Sequence, residues 1–313
     1  MFLNLLLFFV GFYILIKGAN ILVAGSSSLA QKFKISNFII GLIVVGIGTS
    51  IPEFAITFIA SIKGEAGIAF GTIIGSNTFN ILAILGISAA FFTLPMRPHW
   101  VSRDFIWNIL AVFAVILLVI LFGGSISRVE GFFLLALFCL WLYWVIAKEN
   151  SVEPPEKKPL RIMVLPLAIL FILAGLLGVI LGGNWVVAGA EAIARELGLS
   201  EALIGLTIVG IGTSLPELAA TLTAAFKKQP GIAVGNIIGS NIFDFLFIIG
   251  ASALAKPIVF PPRLLADIII TLVSALTLFG FMFIGKKYVL KRWQGLLFIA
   301  FYVIYLVYLF ERG

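Results

Sequence analysis

Polar and charged residues fall in short intervals along this chain, and between them apolar residues run on for about twenty positions at a time. A helix needs about 20 such residues to cross the hydrocarbon core of a bilayer. Ten stretches qualify: 2–24, 37–61, 66–92, 104–122, 129–147, 162–186, 201–226, 231–254, 264–284 and 293–310. The first runs straight into repeated sequence and shows no small-residue cleavage site, so it reads as a spanning helix and not a removable leader. The join at 148–161 is short, polar and proline-rich, and reads as a linker.

The pattern then repeats. Gly41–Gly86 and Gly205–Gly250 agree at 27 of 46 positions without a gap, at a constant offset of 164 residues. The register extends back, with Gly18, Asn20 and Gly25 on Gly182, Asn184 and Gly189, and forward, with Gly131 on Gly295. Each half is then a unit of five helices. An odd number of spans makes the second unit enter the membrane from the opposite side, so the halves are inverted repeats. The expected fold is an all-α membrane protein with ten transmembrane helices in two inverted five-helix repeats, 1–147 and 162–313, joined by the linker 148–161.

Composition narrows the class. The chain is 62% hydrophobic and 11% charged, which a soluble domain could not bury. The net charge of +7 comes from lysines and arginines clustered in loops, 14 on one side and 6 on the other. By the positive-inside rule the 148–161 linker is cytoplasmic and both termini are extracellular. No basic stripe with interleaved aromatics suggests nucleic acid. Cys139 and His99 each stand alone, so neither a disulfide framework nor a His/Cys metal site can form. No nucleophile–base pair points to an enzyme. Nothing in the chain calls for a cofactor or an obligate protein partner beyond the lipid bilayer of a cell membrane.

Against this apolar background, one polar motif appears twice. Gly-Ile-Gly-Thr-Ser-Ile-Pro-Glu spans Gly46–Glu53, and Gly-Ile-Gly-Thr-Ser-Leu-Pro-Glu spans Gly210–Glu217. Pro52 and Pro216 lack the N–H that would bond the carbonyls of Gly48 and Gly212, so each helix should break there. Irregular backbone at that depth is tolerated only where it faces protein or a watery cavity. Freed carbonyls, the hydroxyls of Thr49, Ser50, Thr213 and Ser214, and the carboxylates of Glu53 and Glu217 are hard oxygen ligands, suited to Na⁺ or Ca²⁺. A buried glutamate could instead pair with a basic residue, and Lys17 is the only candidate in the neighbouring spans. The next helix of each half carries Gly-Ser-Asn-Thr-Phe-Asn (Gly75–Asn80) and Gly-Ser-Asn-Ile-Phe-Asp (Gly239–Asp244). Ser76 with Asn80, and Ser240 with Asp244, share a helix face four residues apart. Asn77 and Asn241 lie off that face. The stripes Gly67, Gly71, Gly75 and Gly231, Gly235, Gly239 predict close helix packing.

This doubled pattern resembles the two α-repeats of the cation/Ca²⁺ exchanger superfamily, and within it the prokaryotic Na⁺/Ca²⁺ exchangers. The Gly-Asn-Ala-x-Glu element typical of the proton/Ca²⁺ branch is absent. The resemblance implies Na⁺/Ca²⁺ antiport by alternating access, with the ions as substrates. It implies a Ca²⁺ site of Glu53, Glu217 and the carbonyls of Thr49 and Thr213. It implies overlapping Na⁺ sites using Ser50, Ser76, Ser214 and Ser240 with the carbonyls of Gly46 and Gly210, and Asn80 and Asp244 lining the middle. Ca²⁺/H⁺ antiport and K⁺-dependent Na⁺/Ca²⁺ exchange are the alternatives. The resemblance further implies that the first and sixth helices form a loosely packed pair that slides.

Overall fold

The computed structural model describes residues 2–147, 163–197 and 210–312. The linker 148–161 lies outside the described residues, as does the start of the predicted span 201–226. In chain order the long helices are α1 (Phe2–Phe33), α2 (Asn37–Thr49), α3 (Ile51–Lys63), α4 (Ala66–Phe91), α5 (Pro98–Leu121), α6 (Arg128–Ala147), α7 (Leu165–Glu196), α8 (Leu215–Phe226), α9 (Pro230–Ala255), α10 (Pro262–Phe281) and α11 (Arg292–Arg312). Among the described residues eight of these are long and apolar enough to cross a membrane, and the bent pair α2–α3 makes a ninth. The predicted span containing α8 is only partly described, so the count of ten stays an expectation from sequence. The chain is not purely helical: two-residue strands β1 (Leu94–Pro95), β2 (Ser125–Ile126), β3 (Ile258–Val259) and β4 (Val289–Leu290) pair as β1–β4 and β2–β3.

The helices divide into two packing units that interleave the repeats. One comprises residues 1–52 and 151–236, the other 53–150 and 237–313. The division falls inside α3 and α9, so each unit draws on both halves of the sequence.

In the first unit α1 and α7 lie antiparallel over their full length. Asn4 Nδ2 donates to Glu196 Oε1 (2.8 Å) at one end, and Met163 N donates to Ser28 Oγ (2.7 Å) at the other. α1 and α7 are matched elements of the repeat, and here they run in opposite directions. The two helices approach each other closely at their glycines. A Cβ on Gly18 would stand 2.7 Å from the Gly178 backbone, and one on Gly25 2.8 Å from the Ala168 carbonyl. Both helices also outrun their predicted ends. Beyond the predicted end at residue 24, Ser26, Ser27 and Ser28 are buried and helix α1 continues to Phe33. Here packing overrides local polarity.

In the second unit matched elements also exchange places. The β1–β4 pairing ties the end of α4 to the start of α11, and β2–β3 ties the end of α5 to the end of α9. Helix α5 runs between them, about 36 Å for 24 residues, so the matched helices α4 and α9 leave on opposite sides. Adding 164 to β1 yields β3, and subtracting it from β4 yields β2. The glycine contacts Gly86–Gly295 and Gly131–Gly250 exchange in the same way. Two buried carboxylates that the sequence reading passed over anchor this scaffold. Asp104 accepts from Trp141 Nε1 (3.4 Å) and pairs with Arg103 (3.0 Å). Asp267 accepts from Tyr305 Oη (3.0 Å) and pairs with Arg312 (2.8 Å). Trp141 and Tyr305 are 164 apart, whereas Asp104 and Asp267 are one residue short of that. A π-helical turn at Val101–Phe105 absorbs the extra residue.

Lipid-facing and inward-facing helices separate by burial. Only 22–28% of the apolar windows of α11 and α7 is buried, against 78% for α4 and 94% for α9. The two helices carrying the Gly-Ser-Asn motifs are therefore the best-shielded spans among the described residues.

Candidate functional site

The chain breaks where proline and glycine predict. α2 ends at Thr49, α3 begins at Ile51, and the two are bent by 46°. The hinge residue Ser50 has φ −81° and ψ 7°. In the second copy a short helical turn at Gly210–Gly212 gives way at Thr213 and Ser214, and α8 starts at Leu215. Ser214 has φ −91° and ψ 8°, the same bridge conformation. Pro216 then occupies the first turn of α8, where its missing N–H costs nothing. Each break places a glutamate in the first turn of the following helix, near the positive end of its dipole. Glu53 and Glu217 are both 1% exposed. Lys17 does not pair with either: its ammonium lies over the Tyr13 ring, 5.6 Å from the centroid.

In the first unit, polar groups gather around Glu217. Ser50 Oγ donates to Glu217 Oε1 (3.3 Å), and Glu217 Oε2 is buried with no hydrogen-bond partner among the described residues. The single Thr49 Oγ1 proton is shared between the Gly46 carbonyl (3.3 Å) and the nearer Asn236 Oδ1 (3.1 Å). Asn236 Nδ2 donates in turn to the Glu217 carbonyl (3.2 Å) and to Thr221 Oγ1 (2.8 Å). Ser214 is buried in the same unit and Thr213 half-buried; Gly210 opens the short helical turn before them. The structure thus joins Gly46, Thr49, Ser50 and Glu217, and adds Asn236, which the sequence reading did not single out.

The second unit holds Glu53 and the Gly-Ser-Asn residues of α4 and α9. Asp244 Oδ2 accepts from Asn77 Nδ2 (2.7 Å) and Ser76 Oγ (3.4 Å). Asn80 Nδ2 donates to Asn241 Oδ1 (3.0 Å). These two links exchange under the 164-residue offset, Asn77–Asp244 becoming Asn241–Asn80. Asn77 and Asn241 lay off the predicted face, yet each bonds a residue on it. The signal available was the repeat: both amides recur in register. A π-helical turn follows each amide, at Asn80–Leu85 and at Phe243–Ile248. Turns of this kind are common at functional sites. Ser240 is buried alongside. Close packing holds at Gly235 of the first unit, where an added Cβ would run into the Phe38 carbonyl. A Cβ at Gly71 or Gly75, by contrast, would meet nothing within 4 Å.

Among the described residues no three His, Cys, Asp or Glu side chains form one cluster. Hydroxyl, amide and carbonyl groups gather around Glu217 in the first unit, and an amide and a hydroxyl engage Asp244 in the second, oxygen-bearing groups of the kind hard cations take.

Comparison with known proteins agrees with the repeat. A family model described as sodium/calcium exchanger protein matches twice, at residues 3–147 and 167–311, again 164 apart. An uncharacterized membrane protein of Methanocaldococcus jannaschii is 36% identical over 298 residues, 95% of each chain. Sodium/calcium exchanger MaX1 of Methanosarcina acetivorans is 29% identical, covering 98% of each. A solved structure of the sodium-calcium exchanger NCX_Mj, soaked with Na⁺ and Ca²⁺, matches with a TM-score of 0.83 at 32% identity, over 96% of this chain and 97% of that one.

Proposed function

This chain belongs to the sodium/calcium exchanger protein family, and we propose that it is a secondary antiporter exchanging Na⁺ for Ca²⁺ by alternating access at a midplane site. The family is one of exchangers, not enzymes, and the chain is a multi-pass protein of the cell membrane. One observation carries the reading: the same helix break occurs twice, each time before a buried glutamate, in a chain whose matched helices run in opposite directions. Two such half-sites suit a cargo reached alternately from two faces.

In this reading Glu53 and Glu217 supply the two negative charges that balance Ca²⁺, and the carbonyls of Thr49 and Thr213 complete its oxygen shell. Ser50, Ser76, Ser214 and Ser240, with the carbonyls of Gly46 and Gly210, take Na⁺ at overlapping positions. Asn80 and Asp244 line the middle. Occupancy by one Ca²⁺ or by several Na⁺ competes for the same carboxylates, which couples the two fluxes.

Exchange of more than two Na⁺ per Ca²⁺ moves net charge, worth about 2.3 kcal/mol per charge per 100 mV. Purified protein in proteoliposomes should therefore take up ⁴⁵Ca²⁺ against an outward Na⁺ gradient, and a valinomycin-set potential should shift the final Ca²⁺ distribution. Uptake driven by a pH gradient and indifferent to Na⁺ would replace this reading with Ca²⁺/H⁺ exchange. An absolute requirement for K⁺ would assign K⁺-dependent exchange.

A further inference from the structure

The two halves repeat their ligand-bearing motifs but not the group that braces them. Asn236 lies one helical turn before Ser240 in α9 and is fully buried. Its amide spans three segments of the first unit: the broken end of α2 through Thr49, the backbone of Glu217, and Thr221 one turn further along α8. Both amide protons are used, and the oxygen accepts from Thr49. The position 164 residues earlier is Thr72, whose hydroxyl has a single proton and a shorter reach. The counterpart of Thr221 is Thr57, and its buried hydroxyl has no hydrogen-bond partner among the described residues. Among the described residues, Thr72 and Thr57 thus form no counterpart of the link that Asn236 makes to Thr221.

We propose that Asn236 is a positioning residue that orients the Thr49 and Glu217 segments toward a bound cation, acting on the Glu217 half-site only. It touches the Glu217 carbonyl and the Thr49 hydroxyl, not the Glu217 carboxylate, so it acts by holding the backbone and not by binding the ion. Two flexible elements would otherwise set the ligand geometry: a helix end without its continuation, and a first helical turn. Tying both to one side chain on the best-shielded span fixes the distance between the Thr49 carbonyl and the Glu217 backbone before an ion arrives. Outer partners of this kind typically change metal affinity by about 10–100-fold when removed.

The inference rests on the Na⁺/Ca²⁺ exchange reading for its ion, but its test has two arms. In proteoliposomes, Asn236→Thr should raise the KM for Ca²⁺ by about tenfold, with the maximal rate changed less than about threefold. Asn236→Gln should recover part of the loss, and Thr72→Ala should leave KM within about twofold. Thr49→Val added to Asn236→Thr should cost little more than Asn236→Thr alone, since both break one link. In detergent without added cation, hydrogen exchange should quicken at the first turns of α8 in Asn236→Thr, while exchange in α3 of Thr72→Ala stays as in the parent. An unchanged KM together with unchanged exchange in α8 overturns the proposal. Equal KM shifts for Asn236→Thr and Thr72→Ala overturn its one-sidedness. A parent protein that moves no Ca²⁺ overturns the exchange reading instead, and the hydrogen-exchange arm still decides whether the brace exists.

Discussion

The Glu53 and Glu217 segments differ at one position in eight, and the chain bends alike at both, with Ser50 and Ser214 in nearly identical conformations. What surrounds them differs. Glu217 sits beside a hydroxyl from Ser50 and a backbone held by Asn236. Glu53 is followed one turn on by Thr57, whose hydroxyl is unsatisfied among the described residues. On α4 and α9 the contrast continues: Asn80 meets an amide, whereas Asp244 accepts from an amide and a hydroxyl. Backbone shape at the breaks is thus a local property that duplication preserved. Side-chain support depends on neighbours and diverged at single positions.

The strongest test asks whether the two glutamates are equivalent despite their surroundings. Glu53→Gln and Glu217→Gln should each lower Ca²⁺ transport by about 100-fold or more, since each removes half the countercharge while keeping the side-chain shape. Both variants should elute as monodisperse protein. Appreciable ⁴⁵Ca²⁺ flux in only one of them would show that the halves do not share the ion equally.

A smaller effect is expected where the halves already differ. Two carboxylates balance one Ca²⁺, and the Asp244 carboxylate is engaged by Asn77 and Ser76. Asp244→Asn should keep Ca²⁺ transport within about tenfold of the parent and alter chiefly its dependence on pH or monovalent ions. Loss as complete as in Glu217→Gln would make Asp244 a direct Ca²⁺ ligand.

The smallest effects separate Thr57 from Thr221. Thr221→Val leaves an Asn236 donor unmet and should cost about 1–3 kcal/mol of stability. Thr57→Val removes a hydroxyl that has no partner among the described residues and should be neutral or slightly stabilising. Thermal unfolding in detergent reads both, and equal losses would mean that the Thr57 hydroxyl has a role the contacts around it do not reveal.

Much of this was legible in the chain before any coordinates. Gly-x-Gly-Thr-Ser-x-Pro-Glu acts on its own backbone, so the breaks at Ser50 and Ser214 follow from residues within one turn. An apolar run of about 20 residues with charged ends is likewise its own evidence for a span. Helix α1 runs past its predicted end at residue 24 because the polar run Ser26–Ser28 is buried against other helices. The π-helical turns were missed because an inserted residue leaves no hydrophobic-period signature in a helix that is apolar all round.

The sequence by itself determined the repeat, its offset, the oxygen-rich motifs and the places where helices must break, because each is set by composition or by bonds along the chain. Tertiary structure alone decided that Asn77 reaches Asp244 across a sequence separation of 167, that Asn236 reaches Thr49 across 187, and that the packing units cut across the repeats. An amide in a periodic helix has several faces to choose from. Only the approach of another helix, fixed by glycine contacts and by turns that depart from the α period, selects its partner.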